Sequence, residues 1–118
     1  MNIYIENETQ SKIDAEFSNE KNIILNKINL LINDDFVKSN TYVLQLKNNV
    51  QTKVLKVNAT IRVFFIIQKD DIFILDITRR DVSNGFQKIV DYLTGLHDKL
   101  HMLFIWRPLR DGIDTRVL

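Results

Sequence analysis

Two strongly apolar runs separated by three charged residues constrain this chain more than any other feature. Ile61–Gln68 reads IRVFFIIQ, Ile72–Thr78 reads IFILDIT, and only Lys69, Asp70 and Asp71 stand between them. Both runs are rich in β-branched and aromatic side chains, which fit a pleated surface. A connection this short joins antiparallel neighbours. Apolar residues fill consecutive positions instead of alternating. That predicts strands covered on both faces, or covered on one face and lining a groove on the other. Upstream, Tyr42–Lys47 and Val50–Val57 are further strand candidates, with Asn48-Asn49 and Asn58-Ala59-Thr60 as turns.

The N-terminal third has a different period. Ile3 and Ile5 alternate with polar neighbours across Asn2–Glu6, a short strand. Ile13 and Phe17 stand one turn apart, which predicts a short helix over Ser11–Phe17. Ser18 is placed to cap a second helix, whose stripe is Ile24, Ile28, Leu31 and Ile32, and Asn33-Asp34-Asp35 reads as its terminator. Downstream, Ser83 can cap a helix running to about Lys99, with Ile89, Leu93, Leu96 and Leu100 as its stripe. His101–Trp106 is strand-like and Pro108 stops it, with the remainder a loose tail or an extra edge strand. The order predicts an α+β fold, an antiparallel sheet of four or five strands with helices on one face.

The 118 residues suffice for one domain with one ordinary core. No cysteine is present, which excludes disulfides and thiolate metal sites. His97 and His101 are spaced like a helical metal pair, with Asp98 nearby, but no third ligand stands out and no metal is expected. Three scattered glycines form no phosphate loop, so no cofactor is expected either. The first ten residues lack the features of a signal peptide, and no apolar run is long enough to span a membrane; a cytoplasmic address is the expectation.

The net charge of +1 conceals an asymmetry, −3 over residues 1–43 and +4 over 44–118. Between Leu44 and Gln68 the chain carries Lys47, Lys53, Lys56 and Arg62 and no carboxylate. Such a patch can steer an anionic partner; lysines on a sheet edge also serve to prevent aggregation. Arg62 sits in a strand with Phe64 and Ile66 on its face, either paired with a carboxylate, for which Asp76 is the candidate, or reaching a phosphate. Arg79 and Arg80 close the last strand of the meander and point to opposite faces.

Three segments together resemble the RelE/ParE family of toxins from bacterial toxin–antitoxin modules. They are Phe36-Val37 leading into Leu44-Gln45-Leu46-Lys47, the Ile61-Arg62-Val63-Phe64-Phe65 strand, and Ile72–Arg80 with its terminal basic pair. The likeness covers roughly residues 1–86 and implies a single RelE-like domain: an N-terminal strand and two helices packed on a meander sheet, then a C-terminal helix and extension over 87–118. It implies a metal-independent endoribonuclease that cuts messenger RNA, often on the ribosome, and so inhibits translation. Arg62 and Arg80 would stabilise the phosphate and Lys53 or Lys56 would act as base or cation. Lys47, Arg79 and Phe86 would contact RNA. Phe86 stands where several family nucleases place a tyrosine, and Thr78 where relatives have a histidine. The implied partners are an antitoxin and mRNA or the ribosome. The alternative is a non-catalytic protein of this fold: a gyrase inhibitor of the ParE kind, a phage or mobile-element protein binding a host protein, or a homodimer using the C-terminal segment.

Overall fold

The computed structural model describes residues 1–45, 51–79 and 106–108 of the chain. The described residues form an α+β fold with six strands and three α-helices among them: β1 (Ile3–Glu6), α1 (Asn7–Glu16), α2 (Lys21–Asn29), α3 (Asp34–Asn40), β2 (Thr41–Gln45), β3 (Gln51–Lys56), β4 (Ile61–Gln68), β5 (Asp71–Arg79) and β6 (Trp106–Pro108). The strands lie in the order β2-β3-β4-β5-β1-β6.

Strands β2 to β5 form the expected antiparallel meander. Lys69 and Asp70 both take left-handed backbone, at φ 50° and 68°, so that Gln68 opposes Asp71. That is the two-residue hairpin geometry whose twist matches the strands it joins. The sheet is mixed, however, and not antiparallel throughout. β1 lies parallel to β5, with Ile3, Tyr4 and Ile5 opposite Ile72, Phe73 and Ile74. The Asn2 amide donates to Asp71 Oδ1 at 3.0 Å, and the Ile72 amide to the Asn2 carbonyl at 2.9 Å. The short β6 pairs antiparallel on the far side of β1.

The helices depart from the sequence reading at their ends. α1 starts at Asn7, directly after β1, because the Glu6 carboxylate accepts from the Glu8 and Thr9 amides and caps the first turn. Ser18 caps no helix; it opens a 3-10 turn, Ser18–Glu20, ahead of α2. A second 3-10 turn, Leu30–Ile32, ends the helical stripe, so Leu31 enters the core and Ile32 turns outward at 56 % exposure. Asn33 ends that run in extended backbone, as expected, but it also opens a third helix that the sequence reading did not have. Its Oδ1 accepts from the Phe36 amide at 3.0 Å and starts α3.

Ile13, Phe17, Ile24, Leu25, Ile28 and Leu31 pack on Ile3, Ile5, Leu55, Val63, Phe65, Ile74 and Ile77 of the sheet in one core. Leu44, Val54, Phe64, Ile66 and Leu75 are buried too, but outside that cluster. Both faces of the central strands are therefore buried, the first of the two arrangements that their unbroken apolar runs allowed. No helix among the described residues is long and apolar enough to cross a membrane. The helix expected over Ser83–Lys99 and the Asn48-Asn49 turn lie outside the described residues, and of the strand expected over His101–Trp106 only Trp106 is described, in β6.

Candidate functional site

The chain reverses between β3 and β4 through Asn58, Ala59 and Thr60. The Val57 amide donates to the Ile61 carbonyl at 3.1 Å and closes the loop. Inside it, Asn58 Oδ1 accepts from the Thr60 amide at 2.9 Å, the Thr60 hydroxyl at 3.2 Å and the Ile61 amide at 2.9 Å. Asparagine is suited to this, since its short side chain can stand in for a turn's backbone acceptor.

Arg62 folds back over that turn. Its Nη1 donates to the Asn58 carbonyl at 2.6 Å and the Ile61 carbonyl at 3.1 Å. The residue is only 9 % exposed. No carboxylate among the described residues pairs with it: Asp76, the expected partner, is bound to Lys12 of α1 at 3.3 Å. Carbonyl dipoles compensate a buried cation in part, but a full charge normally requires a counter-charge. Among the described residues only Nη1 of Arg62 has hydrogen-bond partners, and Nε and Nη2 have none.

Register places a second cation beside the first. Lys56 is directly opposite Arg62 on β3, and Thr78 is opposite it on β5. Directly opposed residues share a sheet face with Cβ atoms roughly 5 Å apart, and like charges there destabilise the sheet. Lys56 is exposed and has no ion-pair partner among the described residues. Two cations held together without a carboxylate form a site that an anion would complete.

The other expected site residues divide. Lys53 is opposite Phe65, a member of the helix-side core, and so lies on the opposite sheet face from Lys56 and Arg62. Arg79 also turns to the helices. Its guanidinium makes a two-pronged bond to Glu20 at 3.0 and 3.2 Å, donates to the Glu16 carbonyl at 3.4 Å and covers the Phe17 ring at 4.6 Å. The Arg79 side-chain bond holds Glu20 below the usual carboxylate range, and the same bond raises Arg79. Its charge is therefore engaged by Glu20 in an exposed ion pair. Lys47, Arg80 and Phe86 lie outside the described residues, as do His97 and His101. No cluster of three metal-binding side chains occurs among the described residues.

Sequence reading missed Asp76 as a constructed feature. β5 carries one extra residue: Phe64 opposes Asp76 while Phe65 opposes Ile74, leaving Leu75 unpaired as a bulge. The Thr9 hydroxyl of α1 donates to the Leu75 carbonyl at 2.9 Å, and Asp76 Oδ1 accepts from the Ile77 amide at 2.8 Å. Burial pushes the Asp76 carboxyl up, against the opposing pull of Lys12 and the Ile77 amide. A polar residue flanked by five isoleucines, leucines and phenylalanines, Phe73, Ile74, Leu75, Ile77 and Ile72, was the available signal.

No protein-family model, no curated protein and no solved structure matches this chain.

Proposed function

We propose that this chain is a RelE-like toxin of a toxin–antitoxin module that grips messenger RNA through Lys56 and Arg62 and cleaves it without a metal. One observation carries the reading. Lys56 and Arg62 are directly opposed on one face of the meander, and no carboxylate among the described residues neutralises either. A sheet tolerates such local repulsion at functional sites, where the missing charge arrives with the ligand. Cleavage needs a base to take the ribose 2′-hydroxyl proton, a cation to stabilise the phosphorane, and an acid to protonate the leaving 5′-oxygen. Arg62 is the phosphate-stabilising cation, and Lys56 the base or second cation; Arg80 is the further expected cation. A cognate antitoxin is the expected protein partner.

The test is a cleavage assay on a defined mRNA, with and without ribosomes and with chelator present. The expected outcome is cutting that falls by about 10²–10³-fold in Arg62→Ala. It should fall in Lys56→Ala and stay near wild type in Lys53→Ala, which faces the helices. Intact RNA under both conditions, together with normal growth on expression, overturns the reading.

A second reading, a non-catalytic binding protein on the same scaffold, is favoured by the outer strand. Among the described residues β2 ends the sheet, its sequence TYVLQ has no charge or proline, and Tyr42 and Val43 are 40 % and 51 % exposed. Such an edge is open to strand addition by a partner. Growth inhibition with intact RNA, abolished by Val43→Lys, would favour it.

A further inference from the structure

We infer that Asn58 is the positioning residue of the anion site, setting the guanidinium of Arg62 for a phosphodiester oxygen; this rests on the RNA-binding reading of Lys56 and Arg62. Asn58 acts at both of its ends. Its side chain holds the turn through three accepted bonds, from the Thr60 amide, the Thr60 hydroxyl and the Ile61 amide. Its own carbonyl then accepts the shorter of the two Arg62 Nη1 bonds, at 2.6 Å. The second Arg62 acceptor, the Ile61 carbonyl, also accepts from the Val57 amide and belongs to the same closed loop.

The consequence is directional. Arginine is valued for phosphate because its planar fork presents paired donors with fixed geometry. With Nη1 committed to two carbonyls, the plane of the fork is set, and Nε with Nη2 forms the edge left for a ligand. A carboxylate partner would fix the same plane but cancel the charge; a carbonyl partner fixes it and leaves the charge in place. Lys56 carries no such anchor among the described residues, so Arg62 supplies the orientation and Lys56 the additional field.

The experiment combines two readouts on Asn58→Ala, Asn58→Ser and Arg62→Ala. The first is the NMR signal of the Arg62 Nε–H, which reports whether the guanidinium is held. The second is the affinity for a single-stranded RNA oligonucleotide across a salt series. Asn58→Ala should broaden or shift the Arg62 signal to that of a free arginine and weaken RNA binding about tenfold. Asn58→Ser, whose hydroxyl makes the same turn bonds more weakly, should fall between and carries the test if the alanine variant does not fold. An Arg62 signal and an RNA affinity unchanged in a folded Asn58 variant overturn the inference. RNA affinity unchanged in Arg62→Ala instead overturns the RNA-binding reading, while the Nε signal still decides whether Asn58 positions the arginine.

Discussion

Asp76 and Arg62 are both nearly buried side chains within β-strands, but Arg62 is held by two carbonyls and Asp76 by a cation and an amide. Asp76 has a cation, Lys12, and an amide, and burial still raises its proton affinity because the low-dielectric surroundings penalise the carboxylate more than those partners favour it. Its folded pKa stands above the unfolded value of about 4. Below that value the group is neutral in both states. As pH rises through the folded value, the native state must release a proton that the unfolded state gave up earlier, so stability falls and then levels. The stability difference between wild type and Asp76→Asn should therefore change in the wild type's disfavour as pH climbs from about 4 upward. Urea melts of both proteins across that range check it, and parallel pH curves would show that Asp76 titrates as if unfolded. Glu16, exposed on α1, adds to the effect by repulsion.

At the scale of elements, the caps and turns decide where each segment starts, and these were the least legible parts of the sequence. The helical period of α2 and the unbroken apolar runs of the meander could be read because burial repeats at every turn in the one and covers both faces in the other. The start of α1 could not, since Glu6 is an unusual cap and its role depends on the chain leaving β1 at that residue. Replacing Glu6 by alanine should cost about 1 kcal/mol of stability, measured by thermal or denaturant melting. The hairpin between β4 and β5 offers the opposite change. Lys69 pays steric strain at φ 50°, and Asp70 at φ 68° tolerates it better than most residues but less well than glycine. Lys69→Asn with Asp70→Gly installs the preferred pair for this turn and should raise the melting temperature by a few degrees. The candidate site was legible in part for the same reason. Strand parity puts Lys53 and Lys56 on opposite faces once the register is known, but only the register selects Lys56 as the neighbour of Arg62. The bulge at Leu75 shifts the parity of β5 and is invisible to alternation.

For the molecule as a whole, the decisive element is the first strand. Sequence reading found β1 but not its place, because a parallel partner lies about seventy residues away and leaves no local signal. Without β1, the inner edge of β5 would be open and β6 would have no strand to pair with. Ile5 is 1 % exposed and packs into the core shared by α1, α2 and the meander, so its burial couples the N-terminal segment to every other layer. Ile5→Ala should therefore cost about 2–5 kcal/mol, whereas Val43→Ala on the exposed outer strand should stay within about 0.5 kcal/mol. Denaturant titration followed by both circular dichroism and Trp106 fluorescence distinguishes the outcomes. If β1 integrates the sheet, the two signals move together in Ile5→Ala at a lower midpoint. A variant whose fluorescence transition separates from its helical one would show instead that the β1–β6 pair and the helices unfold as independent units.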